Sequence, residues 1–161
     1  MIKLKTFGSF TVGNDLTFVQ EGAWRSEKLE KLFVYLAMNR NRGVCIEDIS
    51  EAIWQVEEET DNPVGALKNL AYRLRKALRD ASFDEECIVS VRGGLYKWND
   101  DVEVTIDVEE FDRYINEAEM AFCRSKETAI ESYEKAIALY HGDFLPLRTD
   151  THWFMTLNAF Y

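Results

Sequence analysis

NPVGALKNLAYRLRKALRDA, residues Asn62–Ala81, decides how this chain is read. It carries five cations (Lys68, Arg73, Arg75, Lys76 and Arg79) against one acid, Asp80, in a 161-residue chain of formal net charge −10. Asn62 stands where a helix needs an N-cap, and Pro63 at the first helical position, where its missing N–H costs nothing. Leu67, Leu70, Ala71, Leu74 and Leu78 recur at helical spacing and form one apolar stripe. At about 100° per residue, Lys68, Asn69, Tyr72, Lys76 and Arg79 lie on the opposite face, flanked by Arg73 and Arg75. Solvated helix faces usually balance Lys with Glu, and this one does not. A one-sided cationic helix in an acidic chain predicts a local surface for an anionic partner.

Outward from that helix, Ile88–Val91 and Tyr96–Trp98 alternate as two strands around Gly93-Gly94, a turn signal. Their hairpin adds Arg92 and Lys97. Upstream, Leu29, Leu32, Phe33 and Leu36 fall at i, i+3, i+4, i+7, predicting a helix over Ser26–Asn39 capped by Ser26. A shorter helix, Ile46–Trp54, buries Ile49 and Ile53. Three helices closed by a β-hairpin make a winged helix-turn-helix. Before them, Ile2/Leu4, Phe10/Val12 and Leu16/Phe18 repeat with period two, separated by Gly8 and Gly13-Asn14-Asp15, so the N-terminus reads as an antiparallel sheet.

Composition changes after Asn99-Asp100-Asp101. Residues 1–100 hold 14 Lys/Arg and 16 Asp/Glu, whereas residues 101–161 hold 5 and 13. Asp107–Phe122 and Ser125–Tyr140 are amphipathic helices joined around Arg124-Ser125, and Gly142 and Pro146 follow the second. The expected class is α+β: a winged-helix unit over residues 1–100, then an all-α, tetratricopeptide-like region over 101–161. The tail WFMTLNAFY is apolar, and further helices are expected to follow it in the natural chain. No apolar run is long enough to span a membrane, and MIKLKTFGSF lacks a secretion signal. Cys45, Cys87 and Cys123 are odd in number and far apart, which points to a reducing cytoplasm and away from disulfides or zinc. His141 and His152 lack metal spacing, and no nucleophile elbow, HExxH, P-loop or dinucleotide glycine pattern occurs. Glu109-Glu110 diverge on a helix and form no acid/base pair. The expectation is a protein without catalytic residues, metal, cofactor or small-molecule substrate.

WRSEKLEKLFVYLAMNRNRGVCIEDISEAIW, NPVGALKNLAYRLRKAL and IVSVRGGLYKW resemble the winged-helix DNA-binding domain of OmpR-like response regulators. The following VEVTIDVEEFDRYINEAEM and AIESYEKAIALYHGDFLP resemble the start of the bacterial transcriptional activator domain. In tandem they are similar to the Streptomyces antibiotic regulatory protein (SARP) family. That resemblance implies a four-stranded N-terminal sheet, a third helix in the major groove with its arginine pair at Arg73 and Arg75, and a wing arginine at Arg92. It also implies head-to-tail binding to direct repeats in promoter DNA, possible homodimers, and contact with RNA polymerase through the loop Gln55–Asp61, including Gln55, Glu57, Glu58 and Glu59. The chain departs from the pattern at Cys45, where a Ser or Thr cap is usual, at Leu95, where a wing glycine is common, and in the acidity of EEETD. No receiver module precedes Met1, so control by aspartyl phosphorylation is not implied.

Each cation also has a plainer reading. Basic residues near a helix C-terminus are favoured by its dipole, and Lys68, Asn69 and Tyr72 face either base edges or solvent. Arg92 and Lys97 are either exposed hairpin residues or backbone contacts. Trp24 either supports a phosphate contact by Arg25 or packs on the sheet, and Trp54 reads as core. The lack of compensating acids favours DNA contact by the third helix. A cytoplasmic transcriptional regulator is therefore expected, with Lys68, Asn69, Tyr72, Arg73, Arg75, Lys76, Arg79, Arg92 and Lys97 toward duplex DNA. The competing expectation is a protein-interaction scaffold whose winged helix no longer binds DNA, which the net charge and EEETD favour.

Overall fold

Alternation at the N-terminus produces β1 (Ile2–Lys5), β2 (Thr11–Gly13) and β3 (Phe18–Gln20) in the computed structural model, which describes residues 1–55, 61–91 and 93–161. These strands pair antiparallel in the order β3-β2-β1. The fourth strand is β6 (Val104–Ile106), added parallel to β1 with Ile2 opposite Val104. A residue-100 boundary therefore leaves one strand of the N-terminal sheet on its far side. Val102, Val104 and Ile106 do alternate with Glu103 and Thr105, but that alternation runs directly into the helical pattern of Asp107–Phe122 and does not point to β1 as its partner. At β3 the inward residue is Val19, while Leu16 is 88% exposed. Asn14 Oδ1 accepts the Leu16 and Thr17 amides at 2.8 and 2.9 Å and closes a turn with Leu16 at its tip.

Three helices follow as expected: α1 (Glu27–Met38), α2 (Ile46–Ile53) and α3 (Pro63–Asp80). Asn62 Oδ1 caps α3 by accepting the Gly65 amide at 2.9 Å. Cys45 Sγ caps α2 from Asp48 N at 3.4 Å, so the thiol takes the place of a hydroxyl cap with a weaker acceptor. A 3-10 turn at Glu85–Cys87 leads into the hairpin β4 (Ile88–Val91) and β5 (Leu95–Trp98). Phe33 of α1 forms the centre of the core, its ring meeting Phe10, Trp24 and Trp98 edge-on at 6.3, 5.5 and 5.4 Å. Trp24 is thus a packing residue against sheet and helix.

Helices α4 (Asp107–Phe122) and α5 (Lys126–Leu139) form the antiparallel pair, and the apolar tail becomes α6 (His152–Phe160). Two segments tie this region to the sheet at one place, Thr6–Gly8. Asp107, buried at the start of α4, accepts the Thr6 and Phe7 amides at 2.8 and 3.0 Å, the Thr6 hydroxyl at 2.7 Å and its neighbour Val108 N at 3.0 Å. From the other side, Gly8 N donates to Asp143 O at 2.9 Å and Leu145 N to Thr6 O at 2.8 Å. Gly8 has φ +80°, and a Cβ there would stand 2.6 Å from His141 O, so only glycine lets the two segments approach. The DVEEF and YHGDFLP segments therefore converge on one point of the chain.

The tail then returns to the first helix. Arg148, 4% exposed, pairs with Glu30, 2% exposed, and lies 3.2 Å from Glu21. The next residue of α1, Lys31, pairs with Asp150, which also accepts Gln55 Nε2 at 2.9 Å. Thr151 Oγ1 donates to Ala52 O at 2.8 Å, and Trp153 meets Tyr35 edge-on at 4.9 Å. Burial alone would push the pKa of Asp150 up, but the hydrogen bonds from Lys31 and Gln55 outweigh it and hold the carboxyl below the usual Asp value. A carboxyl lowered on folding stabilises while ionised, and that contribution fades as pH falls through its folded value. Asp150→Asn is expected to reduce stability at neutral pH and progressively less below about pH 4. Urea titrations from pH 7 to 3 check this, and a constant difference would contradict it.

Candidate nucleic-acid interface

The apolar stripe of α3 fixes which residues it presents. Leu67, Leu70, Ala71, Leu74 and Leu78 are buried against α1 and α2, which turns Lys68, Asn69, Tyr72, Arg73, Lys76 and Arg79 outward. Tyr72 is 64% exposed, a large aromatic left in solvent among cations. Among the described residues, no carboxylate pairs with Lys68, Arg73 or Lys76. Arg79 is partly neutralised by Glu85 at 3.3 Å. The acidic helices α4 and α5 do not cover this ridge, because the tail docks on α1 and the end of α2 instead.

The hairpin stands beside α3. Its turn contains Gly93 and Gly94, both exposed and both at positive φ (+87° and +77°). Val44, ahead of α2, bonds both main-chain groups of Tyr96, at 2.7 and 2.9 Å, and so holds one edge of the wing. Leu95, where a glycine is common, packs on Gly43, whose Cβ position would lie 3.1 Å from Leu95 Cδ1. Lys97 is half-buried and pairs with Asp100. Arg92, Glu57, Glu58 and Glu59 lie outside the described residues; Gln55 is engaged with Asp150.

Arg75 differs from the other expected contacts. Its side chain is half-buried, and both Nε and Nη2 donate to Ile88 O at 3.0 and 2.9 Å. Burial near that carbonyl pushes the Cys87 thiol up to about 12, removing it as a reactive thiolate.

The residues joining the two regions were not singled out as a site. Glu30-Lys31 looks like an ordinary charged pair on a solvated helix, and only the mirrored Arg148 and Asp150 far along the chain reveal its partners. Asp107 opens DVEEF, yet its hydrogen bonds to Thr6 and Phe7 have no sequence signal.

Residues 21–98 match the sequence model of the family described as transcriptional regulatory protein, C terminal. No curated protein matches the chain. Among solved structures, Mycobacterium tuberculosis EmbR in complex with a low-affinity phosphopeptide is similar, with a TM-score of 0.78 at 21% identity. The alignment covers 98% of this chain and 41% of that one, so this chain spans about two fifths of that protein's length. The match extends through both the winged helix and the helical region. The α+β winged-helix fold is thereby borne out, and the match over residues 21–98 agrees with the winged-helix part of the resemblance.

Proposed function

We propose that this chain, whose residues 21–98 match the family described as transcriptional regulatory protein, C terminal, is a sequence-specific, DNA-binding transcriptional activator of the SARP type. The family match and the fold support a DNA-binding transcriptional regulator. The observation carrying the finer reading is the uncovered ridge of Lys68, Asn69, Tyr72, Arg73, Lys76 and Arg79. In this reading α3 enters the major groove, and Arg73 with Lys76 takes base edges or phosphates. The wing, with Arg92 and Lys97, braces the backbone. Helices α4 and α5 serve oligomerisation on direct repeats, and the Gln55–Asp61 loop, with Glu57, Glu58 and Glu59, meets RNA polymerase. The site of action is the cytoplasm.

A guanine-reading arginine contributes about 1–3 kcal/mol of discrimination, whereas a phosphate contact contributes about 0.9 to the slope of log affinity against log salt. Arg73→Ala is expected to weaken duplex binding by about 1–3 kcal/mol, and Lys76→Ala to lower the salt slope by about one contact. Selection of bound sites from a random duplex pool, followed by anisotropy titrations at several salt concentrations, measures both and shows any repeat spacing. Absence of duplex retention at micromolar protein and low salt would favour the scaffold reading, which the net charge of −10 supports.

A further inference from the structure

The role of Arg75 follows from the hydrogen-bond parity of the wing. Asn99 N donates to Cys87 O at 2.7 Å, and β4 pairs with β5 in the register Ile88–Trp98, Val89–Lys97, Ser90–Tyr96. In an antiparallel ladder, bonded and non-bonded pairs alternate. Ile88 and Tyr96 therefore direct their main-chain groups away from the partner strand. Those of Tyr96 are taken by Val44. The outward carbonyl of Ile88, a residue 1% exposed, would be a buried acceptor without a ladder partner. Arg75 supplies it with two donors from α3.

We propose that Arg75 is a positioning residue and not a DNA contact: its guanidinium fork, closed on Ile88 O, fixes the wing to α3 so that both meet the duplex as one unit. The duplex half of this statement rests on the reading above; the fixing of the wing does not. Lysine keeps the charge but offers a point donor in place of the planar fork. Arg75→Lys therefore separates geometry from charge, and it keeps the test open if Arg75→Met does not fold.

The test compares Arg75→Lys, Arg75→Met and Arg73→Met. In the free protein, amide exchange at Val89 and Lys97 is expected to rise about tenfold or more in both Arg75 variants, the size of a charge-assisted bond to a buried carbonyl, and to stay at the parent rate in Arg73→Met. With duplex DNA, both Arg75 variants are expected to lose affinity while the salt slope is kept. Two results would overturn the proposal: unchanged wing exchange, or Arg75→Lys binding like the parent while Arg75→Met loses about 0.9 of slope, the signature of a phosphate contact. If Arg73→Met also leaves DNA binding untouched, the DNA reading fails, and wing exchange alone decides what Arg75 does.

Discussion

Arg148→Met is expected to lower the stability of the chain by about 3–5 kcal/mol, the cost of breaking a buried ion pair from one side. Among the described residues, Glu30, 2% exposed, would keep only the Gly22 amide, which donates to its Oε1 at 2.8 Å. A carboxylate with one hydrogen bond in an apolar setting forfeits most of its hydration, and that loss exceeds anything the methionine regains by packing. The intact pair need not be strongly stabilising, since desolvation offsets much of its Coulomb gain. Glu30→Leu combined with Arg148→Met is therefore expected to recover most of the loss. Urea denaturation of the four members of the cycle, followed by tryptophan fluorescence, reads the coupling directly. A single-variant loss below about 1 kcal/mol, the value of an exposed pair, would mean that Glu30 relaxes into water and that the tail is not fastened there.

Asp107→Ala is the second large effect, expected at about 3 kcal/mol or more. Two amides, at Thr6 and Phe7, and the Thr6 hydroxyl would be left without their acceptor inside the sheet–helix junction. Each unsatisfied buried donor costs about 1–3 kcal/mol before relaxation. Asp107→Asn retains one acceptor oxygen and is expected to fall between the two. Amide exchange at Thr6 and Phe7 should accelerate more than that of α1, which distinguishes local opening from global unfolding. Equal acceleration everywhere would show that the junction opens only when the whole chain does.

The helical punctuation was legible because it is local. Asn62-Pro63 before the Leu67–Leu78 stripe marked α3 within a residue of its bounds, and Ser26 marked the start of α1, where it holds the N-cap position without the expected side-chain cap bond. Alternation around Gly93-Gly94 carried the wing, and the resemblance carried the four-strand count. What stayed hidden depends on partners distant in sequence. Strand β6 is placed by the open edge of β1 and by Asp107, which follows it and binds Thr6 and Phe7; the alternation of Val102, Val104 and Ile106 names neither partner. The same holds for the ridge. Its helical wheel sorted exposed from buried correctly for Lys68, Asn69, Tyr72 and Lys76. It had no means of seeing that Arg75, on the edge of that face, meets the Ile88 carbonyl thirteen residues on. The apolar tail was visible only as composition; its helix is set by Phe154 and Trp153 packing beside α1.

Strand β6 takes up nearly all the slack between the wing and α4. Trp98 Nε1 donates to Val102 O at 2.7 Å, and two residues later the chain is already laddered onto β1. The azimuth at which α4 and α5 project from a bound duplex would then be fixed by the body of the protein and not by a swivel. B-DNA completes a turn in about 10–10.5 base pairs. Displacing the binding site by about half of that would carry the helical pair to the far side of the double helix. A molecule waiting for that pair at a set point along the same DNA would meet it in one rotational phase and miss it in the other.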